Sequence, residues 1–139
     1  MGTTYFYINA HGPDHDAVNL GIHWLLQKDE NVEAVLSVPL LSNLDGVIEN
    51  VIGEKAVKEL RKNKTVIISG VKINLATSKS ISYGNKPVCL LAIYHDSKSL
   101  DKLESNYHNV SSILAIPWNR DTDIIEWKKI RRAEEYVRK

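Results

Sequence analysis

Apolar positions along this chain alternate between short β-branched runs, the signature of strands, and three- and four-residue spacing, the signature of helices. Tyr5-Phe6-Tyr7-Ile8, within an apolar run from Thr4 to Ala10, reads as a first strand. Val18, Ile22, Leu25 and Leu26 then share one face of a helical segment from Ala17 to Gln27, with Asp14 or Asp16 as its cap. Val32 to Val38 is a second buried strand that stops at Pro39. A second helical region covers about Asn43 to Lys62, with Val47, Ile48, Val51, Ile52, Val57 and Leu60 facing inward and Gly53 dividing it.

Thr65-Val66-Ile67-Ile68 is a third strand, and the alternation that follows from Gly70 to Ser82 suggests half-buried strands. Pro87 to Tyr94, the most apolar run, is expected to be a central strand. Ser97 to Asn106 reads as a short helix and Ser112 to Ile116 as a last strand ending at Pro117-Trp118. Thr122 to Arg138 is expected to be one long helix with Ile124, Trp127, Ile130, Ala133 and Val137 along one side. Strand–helix alternation at both ends favours a mostly parallel sheet with helices on both faces. The expected fold is a single α/β domain over residues 1–139, three-layered and Rossmann-like or flavodoxin-like. An antiparallel hairpin is inserted at about residues 70–86, at one edge.

Length and composition fit that picture. The chain has 139 residues, enough for one substantial core, with 43% hydrophobic and 25% charged residues. Eighteen basic and seventeen acidic residues leave a net charge of +1, so nucleic acid is not the expected partner. No apolar run approaches the ~18 residues of a membrane span, and no secretory signal is visible, so no membrane association is expected. The single Cys89 lies in an apolar run; it reads as core packing and suits a reducing cytoplasm. Pro87 to Tyr94 and three tryptophans supply enough apolar surface to make a homo-oligomer an expectation as well.

The chemistry gathers where strands hand over to helices. In a parallel sheet the carboxyl ends share one edge, which is where open α/β folds bind ligands. That edge would collect His11-Gly12-Pro13-Asp14-His15-Asp16, then Ser37, Ser42 and Asn43, then His95, Asp96 and Ser97, then Trp118, Asn119, Arg120 and Asp121. Helix N-termini there favour anions, Arg120 would pair with phosphate and Trp118 would stack on a base. The expected ligand is therefore a nucleotide-type or other phosphorylated small molecule, bound by His11, Gly12, Asp14, Ser42, Asn43, Ser97, Trp118, Asn119 and Arg120 without turnover. Capping is the ordinary alternative for Ser42, Asn43, Ser97, Asp121 and Thr122, since Ser, Asn, Asp and Thr are routine before helices.

Two resemblances touch the first loop. His11-Gly12-Pro13-Asp14-His15-Asp16-Ala17 resembles the first metal-binding motif of the DHH phosphoesterases, in which a strand-end histidine precedes Pro-Asp-x-Asp and a helix. Here the histidine-to-proline gap is one residue shorter, and His95-Asp96 is the only candidate for the later ligands. The resemblance implies a metal-dependent phosphoesterase with His11, Asp14, Asp16 and Asp96 holding Mn²⁺ or Mg²⁺ and His15 or His95 as general acid or base. Phe6-Tyr7-Ile8-Asn9 followed by Gly12-Pro13-Asp14 is also similar to TIR domains, whose first strand enters a short Gly-Pro/Glu-Asp loop. A third function class rests on Lys128, Lys129, Arg131 and Arg132 beside Trp127, with Arg138 and Lys139: a basic helix face that would touch nucleic acid or an acidic protein.

Overall fold

The computed structural model describes residues 3–77, 86–107 and 109–136, with the side chains of Arg120 and Asp121 outside the description. Its elements are β1 (Thr4–Tyr7), α1 (His15–Leu26), β2 (Glu33–Ser37), α2 (Val47–Ile52), α3 (Glu54–Asn63), β3 (Thr65–Ile68), β4 (Val71–Ala76), β5 (Val88–Ile93), α4 (Ser97–Ser105), β6 (Val110–Ile116), α5 (Ile125–Arg131) and β7 (Glu134–Glu135). Short 3₁₀ turns occupy Leu41–Leu44 and Arg120–Ile124. The seven strands form one mixed sheet in the order β3-β4-β2-β5-β6-β1-β7. All neighbours are parallel except β3 and β4.

Strand side chains divide between two cores because successive residues point to opposite faces. Leu36, Ile73, Leu91, Leu114 and Ile116 pack on one face with Val18, Ile22 and Leu25 of α1, Ile48 of α2 and Val57 and Leu60 of α3. Val35, Leu90, Ile113 and Ala115 pack on the other with Leu100 and Leu103 of α4 and Trp127 of α5. β5 is buried along its whole length, as its unbroken apolar run requires. Its apolar surface is thus spent inside the fold and gives no reason for subunits to associate. α1 lies close to the sheet at Gly21, where an added Cβ would sit 2.8 Å from Ile116 Cδ1 and 2.9 Å from Leu91 Cδ1.

Two expectations need correcting. The antiparallel hairpin is β3–β4, residues 65–76, one strand earlier than the 70–86 span; residues 78–85 of that span lie outside the described residues. Its turn is Ser69-Gly70, with φ of 50° and 80°, the positive pair that lets two strands reverse with their natural twist. The C-terminal helix is also shorter than its apolar spacing suggested. It ends at Arg132, whose φ is 54°, and the chain then extends so that Glu134 and Glu135 pair with Phe6 and Tyr7 of β1. Ile130, expected on the buried side, is 73% exposed, and Val137 lies outside the described residues.

Candidate functional site

The connections out of the sheet create the place for a ligand. β1 and β2 lead to α1 and α2 on one face, whereas β5 and β6 lead to α4 and α5 on the other. Exits therefore diverge at two pairs of neighbouring strands, β6/β1 and β2/β5, and a crevice opens beyond the carboxyl ends at such points.

The β6/β1 crevice is closed by main chain. His11 and Asn119 form an antiparallel bridge, and the Gly12 N–H donates to Trp118 O over 2.5 Å. Gly12 is buried with φ of 62°, so its part is to let the loop turn onto Trp118. His11 and Asn119 hold the two strand-end loops together through their backbones, while both residues stay exposed. Asn119 N–H also bonds Asp123 Oδ2 at 3.0 Å.

The β2/β5 side is open. Pro13, Ser42, Asn43, Tyr94, Trp118 and Asn50, with Asp45, Gly46 and Val47, line a cavity of about 360 Å³. Trp118 is 49% exposed and stands edge-to-face against Tyr94, centroids 5.0 Å apart. Tyr94 ends β5 in the left-handed region, φ 69°, an uncommon conformation for a bulky residue and one that recurs at binding sites. Burial, and then the negative charge of Asp14, push its phenol up, so it remains a neutral hydroxyl. Asn43 Oδ1 accepts from Leu40 N–H at 2.9 Å, closing the turn after β2 and leaving the amide NH₂ to donate. Sequence reasoning missed Tyr94, Asn50 and Pro13. Tyr94 reads as the last apolar residue of a strand, and its signal is position: an aromatic directly before the polar His95-Asp96.

Comparison with family models, curated proteins and solved structures finds no match. Function rests on the geometry of the site.

Several expected site residues have other work. Asp14 caps α1, accepting from Ala17 N–H at 3.0 Å, and Asp96 caps α4, accepting from Ser99 N–H at 2.8 Å. Both helix starts thus already carry a carboxylate. Ser97 binds α4 to the start of α5: its hydroxyl donates to Asp123 O and accepts from Trp127 N–H. His95 is 2% exposed, with Nε2 3.0 Å from Ser37 Oγ and Nδ1 2.5 Å from Ser99 Oγ. Burial drives its pKa down to about 4 against the opposing pull of Asp96 and of its Ser37 contact, so the ring is neutral and sealed between two hydroxyls.

The first loop also splits. Pro13 faces the cavity beside Trp118, while Asp14 and Asp16 face a separate one of about 510 Å³ with Asn9, Asn19, Glu135 and Tyr136. His15 is exposed on α1. Among the described residues no group of three His, Cys, Asp or Glu side chains is placed to hold a metal ion. As a cap, Asp14 makes a distinguishable prediction: Asp14→Ala should lower stability by about 1 kcal/mol in urea unfolding, and Asp14→Asn by only a few tenths. Equal losses in both would mean that the carboxylate charge matters more than the cap.

Two residues of the basic face are engaged. Arg131 pairs with Asp101 and Glu104, at 3.3 and 3.4 Å, and Lys128 Nζ lies 4.6 Å from the centre of the Tyr7 ring. No helix among the described residues is long and apolar enough to cross a membrane. Cys89 is buried beside Ser112, its thiol pushed up by burial.

Proposed function

We propose that this domain recognises a nucleotide-type small molecule in the crevice between the ends of β2 and β5, binding it without turnover. One observation carries the reading: Ser42 and Asn43, Tyr94, and Trp118, from three separate strand ends, line one cavity where the chain switches faces of the sheet. A planar base would stack on Trp118, an interaction worth ~1–3 kcal/mol per base. Asn43, Asn50 and the Tyr94 hydroxyl would read its polar edge. Asp14 and Asp96 occupy the α1 and α4 N-termini, so the heterocycle supplies the grip more than the phosphate does. Arg120, two residues beyond Trp118, is the cation we assign to a phosphate. The reading includes a Rossmann-like or flavodoxin-like fold for the doubly wound sheet and a reducing cytoplasmic setting for the buried thiol of Cys89.

Metal-dependent phosphoester hydrolysis has less support, because its acids serve as caps and His95 is out of reach of solvent. A thermal-shift screen of the full chain separates the two. Linear and cyclic nucleotides and free nucleosides are tested with and without Mn²⁺ and Mg²⁺, on wild type and Asp14→Asn. Binding to the native state at a hundredfold excess over Kd contributes about 2.7 kcal/mol and raises Tm. The expected rise is independent of metal and of Asp14, with no product formed. A metal-dependent rise lost in Asp14→Asn, together with phosphate release, would replace recognition by hydrolysis. No shift with any of these compounds would remove nucleotides as the ligand class.

A further inference from the structure

The two edges of the sheet are built differently. β7 is a two-residue strand of Glu134 and Glu135, short and charged, which discourages pairing with another chain. β3, at four residues, lacks the charge, proline and bulge that protect edge strands. Its residues Thr65-Val66-Ile67-Ile68 include no charge and no proline, and its register with β4 runs without a bulge. The two-residue turn at Ser69-Gly70 fixes the ladder: Ile68–Val71 and Val66–Ile73 exchange hydrogen bonds inward, so Thr65 and Ile67 direct their N–H and C=O groups outward. Among the described residues no strand takes them up. Ile67 is 71% exposed, and beside it a groove of about 760 Å³ is lined by Ile52, Lys55, Ala56, Glu59, Ile68 and Lys72, among others.

We infer that this edge is a homodimer interface in which the β3 strands of two copies pair antiparallel across a two-fold axis. Such a strand is self-complementary. With Val66 opposite Val66 at the axis, Thr65 of each copy meets Ile67 of the other, and the outward N–H and C=O groups of both pairs are satisfied together. The charges in the groove have the same property. Lys55 and Glu59 lie one helical turn apart on α3, and a two-fold axis brings the lysine of one copy toward the glutamate of the other. The continuous sheet also covers Ile67 and the apolar floor of the groove. A second copy satisfies backbone, apolar floor and both charge signs at once, which a peptide of arbitrary sequence does not.

The test is the mass of the full chain by analytical ultracentrifugation and light scattering over a wide concentration range. Wild type is expected to pass from monomer to dimer as concentration rises. Ile67→Lys, at a position already exposed in the monomer, should raise the dimer Kd at least about tenfold while the circular dichroism spectrum is unchanged. Lys55→Glu and Glu59→Lys should each weaken the dimer, and their combination should restore it. A wild type that stays monomeric at every concentration overturns the inference. So does a dimer that Ile67→Lys leaves intact, which would place the contact elsewhere.

Discussion

Acidification from pH 7 to pH 4 is expected to cost the fold about 3 kcal/mol through His95 alone. The ring is 2% exposed and its pKa is lowered to about 4, first by burial. In the unfolded chain it titrates near the ordinary histidine value of about 6.5. Between those two values the unfolded state binds the extra proton and the folded state does not, so stability rises with pH across the window. The contribution is complete above about 6.5 and is lost progressively as pH falls toward 4. The expected loss is a sizeable part of the ~5–15 kcal/mol that a domain of ordinary stability has.

The geometry explains why the proton is refused. In a neutral imidazole one nitrogen donates and the other accepts, and Ser37 and Ser99 offer a hydroxyl to each. A second proton would turn the acceptor into a donor and place a charge inside the protein. Urea unfolding at several pH values, on wild type and His95→Gln, tests this. Wild type should lose stability steeply below pH 6.5, whereas His95→Gln should follow a shallower line set by the carboxylates. Parallel lines for the two proteins would show that the ring titrates normally. The same neutrality removes His95 from general acid–base work near pH 7, because a group that does not change charge there cannot shuttle the proton.

Much of the layout was legible because burial on one face or two writes itself into spacing. Ala34 to Leu36 and Val88 to Ile93 are uninterrupted apolar runs, and both strands lie inside the sheet. Val18, Ile22 and Leu25 kept a helical period, and α1 buries all three. Gly53 divides α2 from α3 as its weak helix propensity implied. The end of α5 was not legible. Arg132 is an ordinary helix former, and the extension of Glu134-Glu135 comes from pairing with β1, more than a hundred residues away. The hairpin was misplaced for a related reason: Ser69-Gly70 separates an apolar run from an alternating one, and only the pairing shows that the turn lies between them.

For the site, residue type was informative and role was not. Ser42, Asn43 and Trp118 do share a cavity. Yet a capping carboxylate and a ligand-binding one look alike in sequence, and Asp14 and Asp96 proved to be caps. His95 likewise offered a histidine at a strand end, where exposure decides between a proton carrier and a buried strut. Tyr94 carries no sequence mark of its left-handed backbone. These distinctions depend on which groups lie within hydrogen-bonding distance across the fold, which local spacing does not encode.

The two tryptophans flanking this edge should separate fold from function. Trp127 is 1% exposed, packs edge-to-face on Tyr5 at 5.8 Å and fills the core under α5. Truncating it leaves a large void, and Trp127→Ala should lower stability by about 3–5 kcal/mol. Its amide is held by Ser97, so the start of α5 loosens with it. Trp118 is half exposed, and its ring stands edge-to-face against Tyr94. Trp118→Ala should cost at most about 1 kcal/mol of stability, the worth of one aromatic pair, while removing the stacking surface of the crevice. A lost stack of ~1–3 kcal/mol corresponds to about a five- to 150-fold rise in Kd. Denaturant unfolding and ligand titration on the same two proteins read both quantities. If Trp118→Ala bound a nucleotide as tightly as wild type, the ligand would lie away from the crevice, whatever its stability. If Trp118→Ala were as unstable as Trp127→Ala, its ring would be a structural prop, and any loss of binding would follow from a loss of folding.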